Sequence, residues 1–537
     1  IIYSPIMLQG IGPGGTYPDG TGVLGSILDG RGMGGTEVYA EWWRLHMGDI
    51  WLNRGGWDGS PLDGDGNPRI YEGQVVTVLA NSGEFTDTFP TTIDGFTIQG
   101  GDQQGVPTNL DQNGGGIIPG VPAEIVIQGG GIFVNAYARY TRITNNIIQS
   151  NGGAYGGAIR VGTPHVPAPL TDHENDSLTI SYNRLLANGS TNLAGAIGLF
   201  NGAENYDVSY NDICGNFSAE YGGGISHYGY SPGGAIHHNR IYFNRSYDEG
   251  GGIMIAGELP ADPDVLSAGA GDVNIYNNTI QSNLGNDDGG GLRFLMAGDF
   301  PYDVYNNFIV NNISTHEGGG ISINDAPDVR IYNNTIAKNL TTATATTSNG
   351  QAAPAGLSSS RNSQLLQATL PLTAPIFSDP IVFNNVFWDN RAGSWTGGGV
   401  AGIGQDGDPN PIHYWDLGVA GNVGLLTPRY NLLHVAYGSP NPTNVVGSAP
   451  LFVEQYETGV RVYPWRGNTT FIGAEIVAVD LPPNLMGDYR LTANSPAQNA
   501  GIGTFAGIAA PVLDHDGNFR PVHGVWDVGA DESIIQP

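Results

Sequence analysis

The sequence is poor in cysteine and in basic residues. A single cysteine, Cys214, in 537 residues excludes a disulfide framework within the chain and any zinc site built from cysteines. Lys and Arg number 20 against 50 Asp and Glu, so the formal charge is −30. Such a charge repels phosphate and argues against nucleic acid as a partner. It suits instead the binding of divalent cations or exposure on a cell surface.

Long apolar runs are also missing. No stretch approaches the ~20 residues that cross a bilayer, and we expect no transmembrane segment. The chain begins at Ile1, with neither a methionine nor a signal peptide. We interpret it as a mature or partial chain, and we expect an extracellular or cell-surface location.

What the sequence has in excess is glycine, with 84 residues, together with a repeat; so much glycine disfavours a helical protein. An asparagine, a few mostly apolar residues and a second asparagine recur along the chain, with a base period of about 28 residues. We predict that the first asparagines stack into a structural ladder, formed by Asn146, Asn183, Asn211, Asn239, Asn278, Asn307, Asn334 and Asn385.

A second marker, GGGI or a variant of it, keeps step with the asparagines. It ends at Ile132, Ile159, Ile197, Ile225, Ile253, Leu292, Ile321 and Val400. Between the markers apolar residues alternate over short runs, as in VNIYNNTI, which indicates strands. Two or three short strands and tight turns fit one coil of a parallel β-helix, an all-β solenoid. Stacked asparagine amides would then bond to one another, and glycines would form the corners.

These repeats, from roughly Thr91 to Val400, resemble those of the right-handed parallel β-helix repeat proteins of the pectate-lyase-like superfamily. The tail, with APLFVEQ, YRLTANSPAQNAG and LDHDGNFRPVHGVWDVGADE, resembles the closing segment of the choice-of-anchor Q type. The resemblance implies a right-handed, single-stranded β-helix in a secreted or surface-displayed protein, often one without an assigned activity.

The pattern divides the chain into three parts. Residues 1–90 look like irregular N-terminal coils, and residues 91–400 form the regular array. A projecting loop at about 341–380, rich in Ser, Thr and Ala, interrupts the array. Residues 401–537 are predicted to be an irregular C-terminal cap, because the last coil of an array exposes unpaired strand edges.

Acidic residues recur just before the glycines on neighbouring coils, namely Asp248, Glu249, Asp287, Asp288 and Glu317. Like charges stacked at coil spacing repel by about 1 kcal/mol per pair even in water. The simplest interpretation is a solvated acidic edge. The alternatives are a calcium site, for which these five residues are the candidate ligands, and a catalytic carboxylate pair.

The motifs of the superfamily's enzymes are largely missing. Polygalacturonase-like members carry NTD, DD, GHG and RIK segments, and only DDG at Asp287 and Asp288 matches. The WiDH-like and RxPxxR-like motifs of pectate lyases are absent from the sequence, and Asp389 in FWDN is better explained as a coil position. His237 and His238 are adjacent in a predicted strand and are expected to face opposite sides. No catalytic residue is assigned.

The repeat also creates sequons at its second asparagine, which makes candidate glycosylation sites of Asn188, Asn216, Asn244, Asn312 and Asn339. For function we favour a non-enzymatic structural or adhesive surface protein, such as a surface-layer, sheath or filament subunit. Its expected partners are copies of itself or a cell-surface polysaccharide. The alternative is a polysaccharide lyase or glycoside hydrolase that acts on an acidic polysaccharide in a groove along the coils.

Overall fold

The structure is a computed structural model that describes residues 1–16, 19–31, 73–101, 130–164, 172–396, 399–464, 475–480, 487–522 and 524–533. The chain divides into two compact units. Unit 1 comprises residues 1–240 and 244–246, and unit 2 comprises residues 241–243 and 247–537. Long parallel sheets of short strands dominate both units. The predicted fold class, an all-β parallel β-helix, is confirmed.

Each regular coil passes through four short strands, one more than the sequence suggested. Sheet 1 precedes the first ladder asparagine, sheet 2 lies between the two asparagines, sheet 3 follows the second, and sheet 4 follows the glycine corner. The strands of sheet 3 are two residues long, too short to show as an alternation in the sequence.

The sheets of unit 1 have the following strands. Sheet 1 contains Met7–Gln9, Thr92–Asp94, Arg142–Thr144, Thr179–Ser181, Asp207–Ser209 and Gly234–His237. Sheet 2 contains Ser26–Asp29, Phe96–Gln99, Ile147–Gln149, Arg184–Leu186 and Asp212–Cys214, and the next strand, Arg240–Tyr242, is divided by the unit boundary. Sheet 3 contains Gly152–Gly153, Gly189–Ser190, Phe217–Ser218 and Arg245–Ser246. Sheet 4 contains Val76–Val78, Ile132–Val134, Ile159–Val161, Ile197–Phe200 and Ile225–Tyr228, and an antiparallel pair, Gly15–Thr16 with Gly22–Val23, lies outside the four sheets.

Unit 2 repeats the pattern. Sheet 1 contains Val273–Tyr276, Tyr302–Tyr305, Val329–Tyr332 and Ile381–Phe383. Sheet 2 contains Thr279–Gln281, Phe308–Val310, Thr335–Ala337, Val386–Trp388, Leu432–Leu433 and Val445–Val446. Sheet 3 contains Leu284–Gly285, Ile313–Ser314, Leu340–Thr341 and Arg391–Ala392. Sheet 4 contains Ile253–Ala256, Leu292–Leu295, Ile321–Ile323, Leu357–Ser359 and Leu417–Val419.

The core is made by strands that stack without a shift in register. In unit 2, Ile280 lies opposite Ile309, and Ile309 lies opposite Ile336. All three are fully buried. A shift by one residue would turn each isoleucine outward, so the apolar pattern fixes the register. Cys214 is half-buried at the end of its strand.

Asparagine ladders run along both units and satisfy the buried turns. In unit 2, Nδ2 of Asn312 donates to Oδ1 of Asn339 at 3.2 Å and to the carbonyl of Ile280 at 2.9 Å. Its own Oδ1 accepts from the backbone N–H of Asn283 at 3.0 Å. Asn188 in unit 1 makes the same set of bonds. Each amide thus pairs fully although it is buried, which avoids the cost of an unpaired polar group.

The C-terminal part of unit 2 departs from the repeat. The GGGV marker at Val400 does not continue sheet 4, and that prediction is wrong: Leu357 and Leu417 hold the register there, while Val400 pairs antiparallel with Trp395. The segment predicted as a projecting loop contains the sheet 4 strand Leu357–Ser359 and a helix, Gln364–Thr369. The other elements are the 3-10 helix Ala420–Asn422 and the antiparallel pairs Ser394–Trp395 with Val400–Ala401, Phe452–Glu454 with Asp488–Leu491, Gly459–Pro464 with Glu475–Asp480, and Thr504–Phe505 with Ile508–Ala509.

The last residues of unit 2 also pack along the side of earlier coils. Tyr456 Oη accepts a hydrogen bond from Nε2 of Gln281 at 2.8 Å. Nδ1 of His515 lies 3.0 Å from the carbonyl oxygen of Asn306. These contacts cover turns of the array that a terminal cap alone would leave in water.

Candidate functional site

The site is built on the glycine corner that joins sheet 3 to sheet 4 in unit 2. Gly289 has φ of +71°, in the left-handed region that glycine adopts without strain. A Cβ on Gly290 would lie 2.3 Å from the carbonyl oxygen of Ile313, so no larger residue fits between the coils. The corner therefore holds the residues just before it, Asp287 and Asp288, at a fixed place beside sheet 4.

Carboxylates from neighbouring coils converge on one arginine, Arg293, the second residue of its sheet 4 strand. Its Nε donates to Oε2 of Glu249 at 2.7 Å, and its Nη2 lies 3.1 Å from Oδ2 of Asp288. Its Nη1 donates to Oγ of Ser322 at 2.6 Å. The side chain of Arg293 is only 4% exposed. We call Asp248, Glu249, Asp287, Asp288, Arg293, His316 and Glu317 the acidic corner.

His316 lies at the rim of the acidic corner, with 29% of its side chain exposed. Its Nδ1 is 2.9 Å from Oδ1 of Asp288 and 3.3 Å from Oδ1 of Asp287. The loop at 342–356 closes the other side, where Oγ1 of Thr347 donates to Oδ1 of Asp287 at 2.6 Å. One histidine and two carboxylates thus share a small volume.

Burial and crowding drive the pKa values of these carboxyl groups apart. Burial raises the pKa of Glu249 to about 7 and that of Glu317 to about 8, in both cases against the pull of Arg293. Burial also opposes ionisation of Asp288, but Arg293 and His316 outweigh it and hold its pKa below the ordinary value. Burial disfavours the charged imidazolium of His316, yet the adjacent carboxylates raise its pKa to about 10.

The sequence located the acids of this site but not the groups that pair with them. The structure brings Glu249, Asp287, Asp288 and Glu317 together as buried or partly buried groups, and Asp248 offers an oxygen within 4.8 Å of Glu249 and Asp287. The solvated acidic edge is wrong for Asp287, Asp288 and Glu317, which are at most 7% exposed. Arg293 and His316 were missed. Arg293 lies in the segment GGGLRF and His316 in STHEGGGI, but neither segment shows which acid contacts which basic residue.

Three-residue groups able to hold a metal ion occur twice in the acidic corner. Asp287, Asp288 and His316 form one group, and Asp248, Glu249 and Asp287 form the other, with the ligand atoms of each within 4.8 Å of one another. Calcium at these positions stays a prediction. The ladder asparagines lie elsewhere in the coil and offer no ligand to either group.

A second ionic cluster surrounds Lys338 in unit 2. Its Nζ is 2.7 Å from Oδ2 of Asp389 and 2.5 Å from Oε1 of Glu457. Arg391 contacts the same two carboxylates, with Nε 2.7 Å from Asp389 and Nη2 2.9 Å from Glu457. Burial would raise the pKa of Asp389, but these two cations hold it below its ordinary value. The cluster joins a coil turn to the C-terminal segment and is structural.

A cleft of about 220 Å³ in unit 2 is lined by His413, Tyr414, Trp415, Asp416, Leu417 and Val435 to Tyr437. Burial raises the pKa of Asp416 to about 7. Asp416 nevertheless has a structural role, since its Oδ1 accepts from Nδ2 of Asn390 at 3.1 Å and its Oδ2 from the backbone N–H of His434 at 2.7 Å. It ends the ladder of second asparagines.

Two expectations about other residues are corrected. His237 and His238 do not face opposite sides: their Nδ1 atoms are 2.7 Å apart, because the strand ends at His237 and His238 has φ of +55°. The five sequons cannot carry a glycan in the folded chain, because their asparagines are at most 2% exposed and Nδ2, the atom that would be glycosylated, donates hydrogen bonds inside the ladder. They are Asn188, Asn216, Asn244, Asn312 and Asn339.

The fold defines the class of the protein as a parallel β-helix. No family model matches the sequence, and no curated protein does either. Among solved structures, "The complex structure of XylC with xylose" is similar at 10% sequence identity and a TM-score of 0.30, over 77% of this chain and 67% of that one. A score this low carries no argument about function. Within the described residues, no helix has the length and apolar character that crossing a membrane requires.

Proposed function

We propose that the protein is a non-enzymatic structural or adhesive element of the cell surface, such as a subunit of a surface layer, sheath or filament. The observation that supports this proposal is the closed packing of the acidic corner. The guanidinium of Arg293 contacts both Glu249 and Asp288, and the arginine side chain is 4% exposed. The corner residues thus neutralise one another across neighbouring coils.

A catalytic carboxylate pair needs a different arrangement. Two carboxyl groups that cleave a glycosidic bond stand about 5–10 Å apart with the sugar between them. In the acidic corner the arginine takes that place, and the side chains of Asp288 and Glu249 are only 10% and 14% exposed. A polymer would have to displace a buried ion pair to reach either group, which costs several kcal/mol.

An extracellular location and self-association belong to the same proposal. The charge of −30 suits a solvated surface, and the tail of the chain resembles the choice-of-anchor Q type of β-helix proteins. Electron microscopy and light scattering of the full chain, with and without calcium, test assembly. We expect ordered layers or filaments at high concentration. A strictly monomeric particle under both conditions contradicts a layer or filament role.

One observation favours the alternative, a polysaccharide lyase or glycoside hydrolase. The acidic corner collects carboxyl groups together with Arg293 and His316, the residue types that such chemistry uses. Incubation with uronic-acid polymers tests it, with new reducing ends or unsaturated products as the readout. Activity abolished by Glu317→Gln and retained by Glu220→Gln, a change at an acid of a unit 1 corner, would establish an enzyme. No product from any polymer leaves the structural proposal standing.

A further inference from the structure

The contact between His316 and the two aspartates leaves one buried carboxylate oxygen with few partners. Nδ1 of His316 lies 2.9 Å from Oδ1 of Asp288, and this buried oxygen has no other close partner with hydrogen-bond geometry among the described residues. Asp288 as a whole is 7% exposed. A buried carboxylate oxygen left in this way costs free energy unless something else binds it.

The spacing of the three atoms fits a metal ion. Ligand atoms bound about 2.0–2.2 Å from one ion lie about 3 Å or slightly more from each other. Nδ1 of His316 is 2.9 Å and 3.3 Å from the oxygens of Asp288 and Asp287, and all three atoms lie within 4.8 Å of one another.

Surrounding groups hold the ligands in place. Oγ1 of Thr347 donates to Oδ1 of Asp287 at 2.6 Å, and Arg293 contacts Oδ2 of Asp288 at 3.1 Å, which leaves Oδ1 of Asp288 turned toward His316. Such outer contacts orient metal ligands in proteins. The glycine corner fixes the backbone of the two aspartates, so the three groups are positioned before an ion binds.

We propose that His316, Asp287 and Asp288 bind a divalent transition-metal ion such as Zn²⁺. An imidazole nitrogen with two carboxylate oxygens suits zinc or another late first-row ion, whereas calcium takes oxygen ligands only. The ion would join two successive corners of unit 2, and through Thr347 it would also order the loop at 342–356. Its role is to fasten the coils, and it does not depend on the proposed surface function.

Metal titration of the full chain tests the proposal. After treatment with EDTA and removal of the chelator, Zn²⁺, Mn²⁺ and Ca²⁺ are titrated separately by calorimetry, and the melting temperature is recorded with each. We expect one Zn²⁺ per chain, at least tenfold tighter binding of Zn²⁺ than of Ca²⁺, and a higher melting temperature. His316→Asn should weaken Zn²⁺ binding at least tenfold, while Glu220→Gln should leave it unchanged.

Three outcomes would overturn the proposal: no stoichiometric binding, binding of Ca²⁺ as tight as that of Zn²⁺, or Zn²⁺ binding that His316→Asn does not weaken. If His316→Asn does not fold, Co²⁺ bound to the unaltered chain replaces it as the test. Visible ligand-field bands that Zn²⁺ displaces, and that Asp288→Asn weakens, support the site. Their absence contradicts it. Assembly observed by electron microscopy is a separate measurement. A failure to bind metal therefore does not count against the proposed surface function.

Discussion

Two arginines occupy the same position of the repeat in the two units, with opposite surroundings. Arg160 in unit 1 is fully buried, with its guanidinium carbon 4.8 Å from the ring centre of Phe133 and 5.1 Å from that of Tyr155. Burial lowers its pKa to about 9. Arg293 in unit 2 is equally buried, and burial works against its charge too. The carboxylates of Glu249 and Asp288 outweigh burial and raise its pKa above the ordinary value.

The difference separates the position of the arginine, which the coil fixes, from the group that balances its charge, which the coil does not fix. In both units the arginine is the second residue of a sheet 4 strand and follows a glycine corner. The residue before the corner is Tyr155 beside Arg160 and Asp288 beside Arg293. The backbone therefore fixes where a buried cation lies, and one neighbouring side chain decides whether a ring face or a carboxylate balances it.

The largest expected effect comes from removing each arginine in turn. Arg293→Met would leave Glu249 and Asp288 as buried carboxylates without their cation, and we expect a loss of about 3–5 kcal/mol at neutral pH. Arg160→Met replaces a desolvated cation with an apolar chain among aromatic rings, so we expect a change within about 1 kcal/mol. Urea titration measures both, and hydrogen exchange assigns the loss to a unit. Equal losses in the two variants would refute the comparison.

The asparagine ladders should not distinguish the units. Asn312→Ala in unit 2 leaves the carbonyl of Ile280 and the amide N–H of Asn283 without partners, and Asn188→Ala does the same to Ile148 and Asn151 in unit 1. Each should cost about 1–3 kcal/mol in the free energy of unfolding. A loss in one unit more than twice that in the other would show that the ladders are not equivalent.

Raising the pH should weaken the acidic corner of unit 2 in the metal-free chain. The folded-state pKa is about 7 for Glu249 and about 8 for Glu317, above the ordinary 4.5, so the folded chain binds more protons than the unfolded chain between these values. This stability is full below pH 4.5 and is lost as the pH rises through 7 and 8. The loss for His316 runs the same way, from its ordinary 6.5 to about 10.

Urea midpoints measured from about pH 5 to about pH 9 in EDTA test this expectation. Glu317→Gln, which resembles the protonated acid, should flatten the decline. The unit 1 corner around Arg160 has no carboxylate at the matching position, so hydrogen exchange at that corner should change less with pH once it is corrected for intrinsic rates. An unchanged slope in Glu317→Gln would contradict the assignment.

The smallest effect is expected at the turn residue before the first ladder asparagine. Two coils of unit 1 have Tyr182 and Tyr210 there, with φ of +58° and +56° and rings stacked 4.9 Å apart, whereas unit 2 has asparagines such as Asn277 and Asn306. Tyr182→Asn loses one stacking contact of about 0.5–1.5 kcal/mol but relaxes the left-handed backbone. We expect a net change below about 1 kcal/mol in urea. A larger loss would mean that the exposed stack holds unit 1 together.

Much of the fold could be read from particular residues. Ile280, Asn278 and Asn283 occupy the core and ladder positions that their spacing predicted, because every coil must solve the same burial problem with the same few residues. The prediction for Val400 was wrong because it relied on the same repeat pattern. Val400 follows three glycines, as the first residues of the sheet 4 strands do, yet the next residue to pair in sheet 4 is Leu417.

The candidate site could be predicted only in part. The recurrence of acids before the glycines at Glu249, Asp288 and Glu317 pointed to a shared edge, since equal positions of a repeat stack. Arg293 lies five residues after Asp288, and His316 belongs to another coil. Their contacts depend on side-chain directions at a turn with positive φ, which no spacing rule gives.

The sequence by itself determined the β-helix, its register and its ladders, because a period of apolar residues and asparagines allows one way to bury the first and pair the second. Only the tertiary structure decided the chemistry of the corners. Stacking brings Glu249, Asp288 and His316 from different coils into contact around Arg293, and in that dry volume electrostatics depends on distances of about 3 Å that the linear order does not contain.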